Sequence, residues 1–157
     1  MSKYVFDIET NGLFPDKIWC LVLIDVQTKE EHCFSDYDDN LPDVSEGLDL
    51  MSNAKVIAGH NIIGFDLPVL KKLTGWIPAE DTRVWDTFLM SQLCKYTRGH
   101  LHGLKGWGGF FEYPKGEHED WTCYSQEMLT YCIRDVDLNV KVYEHVSKEA
   151  SILMKQN

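Results

Sequence analysis

Three short stretches of the chain carry residues whose types and spacing could act together on a charged substrate. In the first, Lys3 to Leu13, the acids Asp7 and Glu9 stand between an apolar run, Tyr4-Val5-Phe6, and a turn signal, Asn11-Gly12. On a strand, period-2 spacing puts both carboxylates on one face. Like charges that close repel unless a cation lies between them, and a divalent metal is the usual one. With 25 acids in 157 residues, an acid-x-acid pair recurs roughly four times by chance, so this signal needs company. Asp66 supplies a second acid, at the start of an expected helix. Tyr131 and Asp135 supply a third group, as i and i+4 neighbours on one helical face. Each also has a plain structural reading: Asp66 as a first-turn acid facing the helix dipole, Asp135 as a solvated acid, Tyr131 as a core residue with its hydroxyl at the edge.

These groups need elements to hold them. After Gly12, the unbroken apolar run Ile18–Ile24 reads as a strand buried on both faces, and Glu31–Ser35 can pair with it, giving three successive antiparallel strands. Asp36–Pro42 reads as an acidic loop and Ser45–Ala54 as a short helix with Ser45 as N-cap. Val56–Gly59 is a short buried strand. A turn through His60–Gly64 leads to a helix with Leu67, Leu70 and Leu73 on one face, Pro68 in its first turn and Gly75 as C-cap. Val84–Asp86 reads as a strand that ends where Asp86 caps the next helix. The Gly- and aromatic-rich stretch Thr97–Glu119 reads as irregular, with one short helix around Leu101–Trp107. Two helical segments are expected from Ser125 to near the C-terminus. Strands first, then alternating strand and helix, describe an α/β fold with a mixed sheet flanked by helices, expected as a single domain over residues 1–157.

In order along the chain, Asp7-x-Glu9, His60-Asn61-x4-Asp66 and Tyr131-x3-Asp135 resemble the three exonuclease motifs of the DEDD (DnaQ-like) 3′–5′ exonucleases, over about residues 3–143. Thr130 stands where one branch of that family has histidine, and Tyr131 matches the tyrosine (DEDDy) branch. Finer details are similar to phage-type family A (Pol I-like) DNA polymerases: the Asp7–Leu13 run, Trp85-Asp86-Thr87, and Lys105-Gly-Trp-Gly108. The resemblance implies an RNase H-like three-layer fold and metal-dependent hydrolysis of phosphodiester bonds from the 3′ end of DNA, releasing 5′-mononucleotides. By similarity, Asp7, Glu9, Asp66 and Asp135 would hold two Mg²⁺ or Mn²⁺ ions, whose preference is for hard oxygen ligands. Tyr131 would orient the attacking water, since a phenol with pKa near 10 is a poor base at neutral pH. Among substrate contacts, Leu13 matches a leucine that wedges between terminal bases, its other reading being a core leucine. Asn61 is expected near the sugar-phosphate, Phe65 under the site or against a base, and Thr10 beside them. Lys71, Lys72, Arg98 and Lys105 are candidates to reach phosphates. His60 reads as a structural hydrogen-bonding residue, and the His100/His102 spacing lacks supporting ligands.

Composition bounds the partners. A net charge of −10 argues against a passive nucleic-acid binder, though not against an enzyme whose carboxylates are neutralised by metal ions. The acids concentrate between Asp25 and Asp49, a stretch read as a solvated face. No apolar run reaches membrane-spanning length and no signal peptide is apparent. Five cysteines without a C-x-x-C pair suggest free thiols in a reducing cytosol, the host's cytoplasm if the chain is phage-encoded. At this length no polymerase accompanies the motifs, so a free-standing exonuclease, or one beside a separate polymerase or replication protein, is expected. The alternatives are an exoribonuclease of the RNase D-like branch and a non-catalytic accessory module on the same fold.

Overall fold

The structure is a computed structural model and describes residues 2–156. Its centre is β1 (Lys3–Thr10), flanked on one side by β2 (Ile18–Asp25) and β3 (Glu31–Phe34), and on the other by β4 (Val56–Gly59) and β5 (Arg83–Asp86), in the order β3-β2-β1-β4-β5. The first three strands are antiparallel, while β4 runs parallel to β1 and β5 parallel to β4. Every residue of β2 is buried, as a strand covered on both faces requires.

Alternation along β1 sorts the layers. Tyr4, Phe6 and Ile8 point to the side packed by α1 (Val44–Ser52) and α2 (Asp66–Thr74), through Val44, Leu48, Met51, Val69 and Leu70. Val5 points to the opposite side, where Leu129, Cys132, Val136 and Val140 of α5 (Gln126–Lys155) cover the sheet together with Cys20, Val22 and Ile24 of β2. Helices on both faces of a mixed sheet make the expected three-layer α/β fold. Two further helices, α3 (Thr87–Cys94) and α4 (Leu104–Phe110), lie against α5, where buried Trp107 packs on Val142 and Val146.

Three local expectations are corrected. The C-terminal segment is one helix of 30 residues rather than two, because Gln126–Lys155 contains neither Gly nor Pro and Ser125 caps it by accepting from the Met128 N–H at 3.1 Å. The apolar face simply ends before the helix does, so Ile152 and Met154 are exposed. Helix α1 starts from Asp43 rather than Ser45: the Asp43 N–H donates to Glu46 Oε2 (3.1 Å), and the Val44 N–H to Asp36 Oδ1 (2.9 Å). The short helix in the glycine-rich stretch begins at Leu104, three residues later than read. Gly75 ends α2 in the left-handed conformation, as expected of a C-cap glycine. All five cysteines are free.

Candidate active site

Strand β1 pairs with β2 along its length but with β4 only at Lys3, Tyr4 and Val5, because β4 stops at Gly59. Beyond Val5, that edge of β1 is open, and the Ile8 N–H donates instead to Asp66 Oδ2 at 3.3 Å. The chain leaves β1 towards β2 and β3 on one side and later adds β4 and β5 on the other. The carboxyl ends of β1 and β4 therefore flank the crevice at a topological switch point, where open α/β sheets place their sites.

The turn between β4 and α2 brings Asp66 there. A Cβ at Gly59 would lie 2.8 Å from the Phe6 carbonyl oxygen and closer still to Ile62, so only glycine permits the approach. Asn61 follows with φ of 60°. Asp86 fixes this turn from the neighbouring strand, accepting from the N–H groups of Asn61 (2.9 Å) and Ile63 (3.0 Å) while capping α3 through the Phe88 N–H (2.9 Å). Sequence reading assigned Asp86 the cap alone. His60 is structural, as read: its Nδ1 lies 2.8 Å from Thr87 Oγ1, its ring is edge-on to Phe88, and burial pulls its pKa down to about 4.

Asp7 and Glu9 share the face of Val5, so they look towards α5, where Tyr131 and Asp135 lie one turn apart. Glu9, Asp66 and Asp135 are buried. Four carboxyl groups in one dry place cannot all ionise. Burial, then the Asp135 charge, push Asp7 up to about 6. Burial and the Asp7 charge push Glu9 up to about 11, and the same two causes hold Asp66 well above the carboxylate range. Asp7 is thus the ion that accepts hydrogen bonds from the protonated carboxyls of Glu9 and Asp66. Burial also raises Asp135, against the opposing pull of Lys115. Tyr131 is pushed up to about 12 by burial and remains a neutral phenol, donating to Asp135 and accepting from Lys115 Nζ at 2.5 Å.

The donor set fits a hard divalent cation. Asp7 and Glu9 offer ligand oxygens that lie, with the Cys132 sulfur, within 4.8 Å of one another. Cys132 itself does not suit such an ion. It is fully buried, burial holds its thiol protonated, and it donates towards Asp7 from 3.8 to 3.9 Å.

Beside Glu9 opens a slot of about 270 Å³ that brings together Thr10, Leu13, Phe65 and Trp121. Leu13 is no core residue: it is 84% exposed, and Phe14 beside it is 97% exposed. The Thr10 hydroxyl donates to the Gly12 carbonyl at 3.0 Å and so braces the hairpin tip. Asn61 is exposed on the β4–α2 turn and is not among the residues lining the slot. The basic candidates lie elsewhere. Lys71 and Lys72 are exposed in the last turn of α2, the end opposite Asp66, and Lys105 is exposed on α4. Arg98 is committed to Glu149 (2.7 Å) and the Trp107 ring. His100 packs on Trp107 and His102 bonds Ser91, so the pair does not converge on a metal.

Two residues that sequence reading left unassigned belong to the site. Lys115 touches Tyr131 and Asp135, and Trp121 lines the slot with its ring 5.5 Å from that of Tyr131. Both sit in an irregular segment, where no periodicity marks a residue's direction.

A family model described as the RNase_H superfamily matches residues 4–106. A comparison with curated protein sequences gave no match. Among solved structures, the fold is similar to the family B DNA polymerase of the hyperthermophilic archaeon Pyrobaculum calidifontis (TM-score 0.71, 16% identity, 93% of this chain and 24% of that one). It is similar to a nuclease solved in its apo form (0.67, 21%, 97% and 76%) and to E. coli exonuclease I in complex with a dT13 oligonucleotide (0.65, 15%, 99% and 43%). The chain thus spans about a quarter of that polymerase and less than half of exonuclease I. These identities speak for the fold, while the family model covers more than half of the sequence. With a mixed five-stranded sheet and four acids at its switch point, the chain belongs to the RNase_H superfamily.

Proposed function

We propose that this protein is a 3′–5′ exonuclease of the DEDDy type, hydrolysing phosphodiester bonds at the 3′ end of DNA, single-stranded by preference. The observation that carries the reading is the convergence of Asp7, Glu9, Asp66, Tyr131 and Asp135, from three distant segments, on the crevice between β1 and β4. That the similar exonuclease I was solved with an oligonucleotide lends support.

The four carboxylates would hold two Mg²⁺ or Mn²⁺ ions, which when bound supply Lewis-acid stabilisation of phosphoryl charge and a nucleophile at neutral pH. The chain's own residues do the rest. Asp7, Glu9, Asp66 and Asp135 would be the residues that hold these ions, with Asp7 hydrogen-bonded to both Glu9 and Asp66. Tyr131 stays protonated and spends its hydrogen on Asp135, so its remaining lone pair is free to hold a water's O–H. Leu13, Phe65 and Trp121 would offer apolar surface to the terminal base, with Thr10 bracing the hairpin tip that carries Leu13. Stacking of this kind is sequence-tolerant and suits unpaired ends.

The test is digestion of 5′-labelled single-stranded DNA, duplex DNA and RNA of one sequence, with Mg²⁺, Mn²⁺ or EDTA. A ladder shortening from the 3′ end, abolished by EDTA and by Asp7→Ala, is the expected result. Failure to digest any of the three, or Asp7→Ala activity equal to the parent's, would sink the proposal. Preferential loss of the RNA would instead place the protein on the RNase D-like side.

A further inference from the structure

The strap between α4 and α5 delivers one cation into the acidic site. Tyr113 Oη donates to Asp137 Oδ2 (2.5 Å), and Arg134 Nε donates to the Pro114 carbonyl (2.9 Å) with its guanidinium 3.6 Å from the Tyr113 ring centroid. The Gly116 N–H reaches Asp135 Oδ1 at 3.3 Å. A Cβ on Gly116 would stand 3.1 Å from the Tyr131 ring, so the strap lies directly on that tyrosine. Between these ties, Lys115 Nζ donates to Tyr131 Oη at 2.5 Å and stands 3.1 Å from Asp135 Oδ2. This is a built position rather than a loose surface contact. Yet the Lys115 side chain is 31% exposed, and it lines, with Tyr131 and Arg134, an open hollow of about 580 Å³.

We propose that Lys115 is a working cation of this site besides the divalent ions: it is the counter-ion of Asp135 before a divalent ion binds, yields that carboxylate to the ion, and turns its ammonium to the phosphodiester. The proposal rests on the nuclease reading given above. Asp135 cannot serve both partners fully, since an arriving divalent ion wants the oxygens that Lys115 now holds and repels the ammonium. The displaced lysine has a flexible four-carbon stem, an open hollow beside it and a phosphate as the nearest new anion. Its contact with Tyr131 would keep it beside the hydroxyl that holds the water. An ordinary structural ion pair makes a different forecast, because it would only support the fold.

Three variants separate the two: Lys115→Met, Lys115→Gln, which keeps a donor but no charge, and Lys115→Arg. Mn²⁺ is titrated calorimetrically into each without nucleic acid, and kcat and KM are measured on a labelled DNA single strand at saturating Mn²⁺. Loss of a competitor should tighten Mn²⁺ binding about fivefold in the Met and Gln variants. In the same two variants kcat should fall about 100-fold with KM little changed, and Lys115→Arg should restore part of it. Unchanged or weaker Mn²⁺ binding in both uncharged variants overturns the proposal, as does a kcat within twofold of the parent's. If the parent cuts none of the strands, the nuclease reading falls on that result, while the Mn²⁺ titration still decides whether Lys115 competes with the cation.

Discussion

Asp7 lies among acids and receives hydrogen bonds from two of them, and burial together with its charge keeps protons on Glu9 and Asp66. Tyr131 is the complementary case. Burial keeps its proton on, and the nearby lysine only lessens that shift, so in the proposed reaction it would position a water rather than abstract a proton. Tyr131→Phe should therefore slow cleavage by about 10–100-fold without abolishing it, since the acids remain and only the water's orientation is lost. Single-turnover rates at saturating metal would show this. A complete loss of activity would mean that the hydroxyl does more than position.

At the scale of elements, the site depends on two turns. The β4–α2 turn presents Asp66, and it hangs on Asp86, whose buried carboxylate serves N–H groups on both sides. Asp86→Ala would leave those donors unpaired and remove the α3 cap, a loss of about 2–4 kcal/mol. Chemical denaturation should register it, with metal affinity falling in parallel because Asp66 loses its footing; a variant as stable as the parent would refute the dual role of Asp86. The β1–β2 hairpin is different. Its tip carries Leu13 and Phe14 almost fully in solvent, so neither contributes to the core. Leu13→Ala should leave the melting temperature within about 1–2 °C of the parent's, while weakening capture of frayed duplex ends more than of single strands. Equal loss on both substrates would count against a wedge.

For the whole molecule, the acidic site makes stability depend on pH in an unusual direction. Most native carboxylates are lowered by their partners, but Asp7, Glu9, Asp66 and Asp135 are all raised, with burial the first cause in each. At these four groups the folded state therefore binds more protons than the unfolded chain, an excess that outweighs the opposite contribution of buried His60, lowered to about 4. The stability these groups lend is complete below the ordinary carboxylate range and is lost as pH rises through about 6 for Asp7 and on towards about 11 for Glu9. Metal-free protein should melt several degrees lower at pH 8 than at pH 5. Asp7→Asn should flatten that slope, and Mn²⁺ should raise the melting temperature more at pH 8 than at pH 5, because it then displaces fewer protons. Thermal scans in EDTA and in Mn²⁺ at the two pH values provide the measurement; a metal-free protein more stable at pH 8 would reverse the sign argued here.

Much of the architecture lies in local pattern. The apolar run of β2, the alternation in β1, Gly75 at the end of α2 and Asp86 before α3 all identify themselves by spacing and residue type, because strands and caps obey short-range rules. The five candidate catalytic residues were legible only as a set, through the resemblance of three ordered motifs to a known family, because period alone left each with a plain structural reading. The single long α5 was not, because its apolar face stops before its backbone hydrogen bonding does. Nor was the placement of Lys115 and Trp121 beside Tyr131. They reach the site across an irregular strap whose course is set by Tyr113, Arg134 and Gly116 meeting α5, contacts between residues some 20 positions apart. The sequence by itself determined which acids are present and which faces carry them. Only the tertiary structure decided that the open edge of β1 receives Asp66 and that a lysine stands among the acids, because both depend on where β4 ends and how the strap packs.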